Sequence, residues 1–241
     1  PGIELSTEDG EGIYMHILGY CFDRENEALR REVEMIRKKR AERNEKLLAA
    51  LRQIGCKLTE EDLQLRDGQD YVGKPTFALA LARKGYVSTP KEAFQEGRFM
   101  RSDAVRNVHR EKISAKLAIE LISGAGGTPV LAHPMKISHL TDGGEDRGSD
   151  GFFERLDIQL AKLKSWGIGG MECYYSSHLL EDTERLVRMA RRHGLIITAG
   201  SDFHGLELDK TITIGGFAID NNFDEKGISK EINSKYCNMM V

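Results

Sequence analysis

From residue 114 to residue 204 the chain alternates strand-like apolar runs with amphipathic helical ones, and no other feature narrows its fold as far. "SAKLAIELISGAGG" reads as a helix that Ser114 caps and glycines stop. "TPVLAHP" is a short buried strand, and "FFERLDIQLAKLKSWG" is an amphipathic helix. "GGMECYY" is a strand, "LLEDTERLVRMARRHG" a helix, and "LIITAGSDFH" a strand again. Such alternation predicts an α/β fold with parallel strands joined by crossover helices.

The first half reads differently. "GIYMHILGYCFD" is apolar and β-prone, a buried strand. From Glu25 to about Ile54, Leu29, Val33, Ile36, Leu47 and Leu51 fall on a roughly helical repeat, and "IRKKRAERNEK" supplies the solvated face. The basic run from Arg37 to Arg43 is interleaved with acids along the same helix, so it reads as solvated surface rather than a phosphate-backbone contact. Thr59 and Thr89 stand at N-cap positions, and Pro75 and Gly85 mark a helix start and stop. Residues 25–110 are therefore expected to be a mostly helical insertion. Residues 1–24 and 111–220 form the α/β part, and 221–241 a C-terminal tail. "TDGGEDRGSDG" reads as a polar, Gly-rich loop.

Bulk properties exclude several classes. The 241 residues suit one large domain or a domain with an insertion, 40% hydrophobic and 30% charged. No window approaches 18 uninterrupted apolar residues, so no membrane span is expected, and the start lacks the pattern of a secretory signal. A net charge of −3 gives no broad field for long duplex nucleic acid. Cys21, Cys56, Cys173 and Cys237 are scattered without a C-x-x-C pair, which speaks against a zinc knuckle or redox motif. Four free thiols would fit a reducing cytoplasm. No Walker sequence or dinucleotide fingerprint is present.

The chemistry collects around strands. "VLAHP" ends in His133, "MECYYSSH" leads to His178, and "ITAGSDFHG" carries Asp202 and His204. Near the N-terminus "PGIELS" carries Glu4 and "YMHILGY" carries His16. Sites in parallel α/β folds form at the carboxyl ends of strands, so these residues are expected at one rim. Carboxylates and imidazoles together suit Zn²⁺, Mn²⁺ or Fe²⁺. A lone His in an apolar run is more often a hydrogen-bonded core residue. His193 in the last turn of a helix, His109 and His139 receive no function.

"PGIELS", "HILGYCFD", "GKPTFALAL", "HREKISAKLAIELI", "AGGTPVLAHP", "ECYYSSH" and "AGSDFHG", in that order, resemble the PHP (polymerase and histidinol phosphatase) family over residues 1 to about 216. They are most similar to its stand-alone phosphoesterases. The resemblance implies a distorted (β/α)7 barrel with a metal cluster at the strands' carboxyl ends and a helical insertion. It implies that Glu4 bridges two metals, that His16 and His133 complete the second site, that Asp202 helps hold the first, and that His204 belongs to the third. Ser177 and His178 would lie near the substrate phosphate. Lys74 stands where relatives often carry Arg, and Thr76 where they often carry His. Lys74 could meet a phosphate as a point charge, without the Arg fork. The family's opening strand, with its His-x-His motif, and a following Asp and His precede the "PGxE" segment. The chain begins at "PGIELS", without an initiator Met, and the barrel is expected to lack its first strand here. The favoured expectation is that the upstream part was left out or lost by processing; the alternatives are a truncated, inactive gene product and a strand supplied by another chain.

The function so implied is hydrolysis of a phosphomonoester on a small nucleotide-like substrate. It would use two or three divalent ions in the complete protein, Mn²⁺ foremost, with His204 or His178 assisting proton transfer. The alternatives are an exonuclease on short oligonucleotides and a truncated, non-catalytic metal-binding module. An amidohydrolase is more distant, although Lys136 follows His133 closely.

Overall fold

The computed structural model describes residues 1–65, 69, 71–109, 111–140 and 147–217. The tail expected at 221–241 and the first half of the Gly-rich loop, 141–146, lie outside the described residues, and the loop's last residues are helical, with α5 starting at Asp150. Strands are β1 (Gly2–Glu8), β2 (Tyr14–Tyr20), β3 (Ile113–Ser114), β4 (Thr128–Leu131), β5 (Gly170–Tyr175) and β6 (Ile196–Gly200). Helices are α1 (Glu27–Gln53), α2 (Lys74–Arg83), α3 (Asp103–Arg106), α4 (Ala115–Gly124), α5 (Asp150–Ser165) and α6 (Leu180–Arg192).

The strands form one six-stranded sheet in the order β3-β1-β2-β4-β5-β6. The β4–β5–β6 part is parallel, as the alternation of strands and helices implies. The β1–β2 and β2–β4 pairs are antiparallel, so the sheet is mixed. The cause is the connection. A turn over residues 9–13 returns the chain antiparallel, whereas α5 and α6 are the crossovers that parallel neighbours need. In that turn Asp9 Oδ1 accepts the N–H groups of Glu11 (2.9 Å) and Ile13 (3.1 Å). Gly10 and Gly12 take φ of +88° and +86°, values that glycine adopts at little cost. Asp9–Gly10 between two alternating runs is a hairpin signal, and it makes "GIELSTE" a strand that the apolar strength of the second run overshadows in the sequence.

Two compact units divide the chain. One comprises residues 1–30, 112–202 and those from 214 on; the other comprises 31–111 and 203–213. In the first, Leu5, Met15 and Ile17 are buried on one face of the hairpin, and Ile122 of α4 lies against Gly19 on that same face. Glu4, Ser6, His16 and Leu18 share the opposite face, because paired and alternate residues project together. Phe152, Leu156 and Leu160 of α5 and Leu186 and Ala190 of α6 are buried. Ser114 and Ser149 cap α4 and α5, accepting the N–H groups of Leu117 and Phe152 at 3.1 Å. In the second unit, Leu47, Leu51, Leu58, Phe77, Leu81 and Val105 form a core. Pro75 opens α2, and Thr89 caps the 3₁₀ turn Pro90–Phe94.

Among the described residues no helix is long and apolar enough to cross a membrane. Cys56 and Cys173 are free and buried.

Candidate metal centre

The structure brings Glu4, His16 and His133 together, but not all at strand ends. Glu4 and His16 are mid-strand, diagonal neighbours on the open face of the hairpin. His133 stands two residues past the end of β4, brought alongside by the β2–β4 pairing and by the Ala132 N–H donating to the His16 carbonyl at 3.0 Å. Glu4 Oε1 lies 2.6 Å from His16 Nδ1 and 3.3 Å from His133 Nε2. The imidazole rings meet edge to face with centroids 5.0 Å apart. One ligand atom from each residue lies within 4.8 Å of the others, and among the described residues this is the group so placed. Burial works to raise the Glu4 carboxyl, and hydrogen bonds and charge from His133 and His16 overcome it, holding it well below the usual carboxylate range. An ionised carboxylate between two imidazole nitrogens is a donor set that fits a divalent ion of the Zn²⁺, Mn²⁺ or Fe²⁺ kind.

A second group of side chains surrounds this one. The Tyr175 ring lies 5.4 Å from that of His133, and its hydroxyl donates to Asp202 Oδ2 at 2.7 Å. Lys136 Nζ hydrogen-bonds the same hydroxyl and sits 3.5 Å from Asp202 Oδ2. Burial and the bond to Asp202 push the Tyr175 phenol up, so it remains a donor. Tyr175 thus links Asp202 to the three-residue cluster. Its φ of +53° and the +25° of His133 put two non-glycine residues of the site in the left-handed region, a strain concentrated at functional positions.

Glu172 escaped the sequence reading. It projects from β5 at 5% exposure, and its Oε2 accepts the His133 N–H at 2.8 Å. Burial pushes its carboxyl up to about 7 against that hydrogen bond, and the charges of Glu4 and Asp202 add to the rise. Its signal was a lone acid inside the apolar run "GGMECYY", a residue type rarely buried without a partner.

His178 is buried, and its Nδ1 hydrogen-bonds the Cys173 carbonyl at 3.0 Å, which fixes the proton on Nδ1. Its Nε2 is enclosed and has no hydrogen-bond partner among the described residues. Burial lowers its pKa to about 4, helped by the charges of His133 and Lys136, so at neutral pH Nε2 is an acceptor. In the unfolded chain His178 would take up a proton near its ordinary 6.5. The stability gained from keeping it neutral is present above that value and is lost as pH falls toward 4, by roughly 3 kcal/mol. A His178→Gln variant should therefore unfold with a shallower pH dependence between pH 6.5 and 4 in urea titrations. Parallel profiles for the two proteins would refute this.

The other expected site residues are placed as follows. Ser177 is exposed in the turn after β5, and His204 is exposed in the second unit. Lys74, at the start of α2, has its ammonium pKa lowered by burial and by the charges of Arg43 and Arg101. His193 caps the C-terminus of α6, with Nε2 2.6 Å from Asp157 Oδ1.

No family model matches the chain. It is 31% identical over 206 residues to a 3′,5′-nucleoside bisphosphate phosphatase of Chromobacterium violaceum, a match covering 84% of this chain and 66% of that protein. It is 28% identical over 229 residues to a 5′-3′ exoribonuclease of Haemophilus influenzae, covering 88% and 73%. It is 27% identical over 206 residues to a phosphoribosyl 1,2-cyclic phosphate 1,2-diphosphodiesterase of Eggerthella lenta, covering 85% and 72%. The chain thus spans about two thirds of the length of the first of these, 66%. Among solved structures, a Bifidobacterium adolescentis protein proposed to be a metal-dependent phosphoesterase superposes with a TM-score of 0.74 at 27% identity, covering 97% of this chain and 75% of that one. An amidohydrolase from Chromobacterium violaceum, solved with sulfate and no metal, superposes with a TM-score of 0.71 at 27% identity, covering 86% and 69%. These three relatives are all hydrolases of phosphoric esters, and it is to such enzymes that this mixed α/β chain is similar over most of its length.

Proposed function

We propose that the protein is a metal-dependent phosphoesterase of the PHP type, hydrolysing a phosphomonoester on a small nucleotide-like substrate. The observation that carries this is the Glu4 carboxylate held between His16 and His133 in a chain similar to phosphoric ester hydrolases. In this reading the six-stranded sheet is part of a distorted (β/α)7 barrel, and the helical residues 25–110 are an insertion. Glu4, His16 and His133 would hold one divalent ion, and Asp202 and His204 would contribute to others. Mn²⁺ is the first candidate, with Zn²⁺ and Fe²⁺ as alternatives. Ions bound there would supply Lewis acidity toward a phosphate oxygen and would acidify a water.

The chain's own residues set the rest. Tyr175 and Lys136 hold the Asp202 carboxylate in place. His178 Nε2, neutral and enclosed, is suited to accept a hydrogen bond or a proton from a substrate or water. His204 is the other candidate for proton transfer, and Ser177 and His178 for phosphate contact, by the resemblance to the family. Lys74 feels the charges of Arg43 and Arg101, and a phosphate contact there is proposed by the resemblance to the family.

A second reading, an exonuclease on short oligonucleotides, is favoured by the similarity to an exoribonuclease. Metal content per chain, measured alongside release of phosphate from a nucleoside 3′,5′-bisphosphate with added Mn²⁺, tests the first. Bound metal with phosphate release is the expected result. Mononucleotide release from short RNA without bisphosphate turnover would favour the second. Absence of bound metal would overturn both.

A further inference from the structure

Glu172 sits where three local irregularities of the fold converge. The β4–β5 ladder runs through Val130↔Gly170 and Leu131↔Met171 and stops there. Beyond it the chain turns at His133 with φ +25° and ψ 65°, immediately before Pro134, although a residue before proline favours extended backbone. Just past the last paired rung, the Glu172 carboxylate takes the His133 N–H at 2.8 Å. On its other side the β5–β6 register slips between Glu172 and Tyr174, an irregularity of the kind that re-aims side chains near sites. At Gly200, on β6, a Cβ would fall 2.2 Å from Glu172 Oε1, so any other residue there would make the carboxylate move. The bent His133, the slipped β5 and the glycine at 200 all accommodate one buried side chain.

We propose that Glu172 is a positioning residue: by holding the His133 backbone it aims the imidazole at Glu4 and His16, and so sets the affinity of this three-residue centre for a divalent cation without ligating it. The inference rests on the metal-centre reading above, and its test separates the two. Partners that orient a metal ligand are commonly worth 10–100-fold in metal affinity.

The experiment titrates Mn²⁺ into the wild-type protein and the variants Glu172→Ala, Glu172→Gln and Gly200→Ala, and records the ¹⁵N and ring-proton signals of His133 in the metal-free proteins. Glu172→Ala is expected to weaken Mn²⁺ roughly 10–100-fold and to shift the His133 signals. Glu172→Gln keeps an acceptor oxygen and should stay close to wild type. Gly200→Ala displaces the carboxylate and should reproduce part of the loss with Glu172 still present, and it carries the test if Glu172→Ala does not fold. Unchanged affinity and unmoved His133 signals in the folded Ala variants would overturn the proposal. So would a Gln variant as impaired as Glu172→Ala, since that would point to the charge rather than the hydrogen bond. If the wild type binds no Mn²⁺ while the His133 signals still shift in Glu172→Ala, the positioning of His133 stands and the metal-centre reading falls.

Discussion

If the proposed function holds, replacing Glu4 by Gln is expected to abolish divalent-cation binding at the Glu4–His16–His133 centre and to lower phosphoesterase activity by about a thousandfold or more. Its Oε1 is the atom that both imidazoles face, at 2.6 and 3.3 Å, and the amide removes the charge that draws a cation to them. A catalytic metal contributes several kcal/mol of transition-state stabilisation, and about 4 kcal/mol corresponds to three powers of ten in rate. The fold should be little disturbed, because the Glu4 side chain is 38% exposed on the open face of the hairpin. Titration calorimetry with Mn²⁺, phosphate release and the melting of the metal-free protein separate these effects. Full Mn²⁺ stoichiometry and undiminished turnover in a folded Glu4→Gln protein would contradict the assignment.

Phe77→Ala should produce the largest loss of stability. Phe77 is fully buried in the core of the second unit, where the cluster also contains Leu47, Leu51 and Leu81. Truncating a buried phenylalanine removes its burial free energy and leaves a cavity, together about 3–5 kcal/mol. Ile158→Ser on α5 is the control, since Ile158 is 71% exposed and the change should stay within about 0.5 kcal/mol. Urea unfolding of both variants provides the comparison. A Phe77→Ala midpoint close to that of wild type would mean that this core carries little of the measured stability.

Much of the fold was legible because its signals are local. Ser114 capping α4, Thr89 capping a 3₁₀ turn and Pro75 opening α2 are each decided by backbone groups a few residues away. The parallel β4–β5–β6 part follows from helix-length connections. The first hairpin was less legible. β1 alternates exposed and buried residues and has no continuous apolar run, so its strand character emerges only when the Asp9–Gly10 turn is weighed with it. The same holds for the site. Residue type marks Glu4, His16 and His133 together with His178, Asp202 and His204, and the family resemblance alone groups the three. That two of them are mid-strand and meet across an antiparallel pair is a matter of register, and a register relates residues whose spacing in sequence does not reveal it.

Sequence alone determined the residue chemistry of this protein: an acid and two imidazoles able to bind a divalent ion, an alternation of strands and helices, and a helical stretch between residues 25 and 110. Those are properties of side chains and of short-range periodicity. Tertiary structure decided which of the candidates touch. It set Glu4 Oε1 between two rings, linked Asp202 to them through Tyr175, and enclosed His178 so that it stays neutral. It also brought Glu172 under the His133 backbone. The physical reason is that hydrogen bonding and desolvation act over a few ångströms of space, while the groups concerned lie as far apart in the chain as Glu4 and His133.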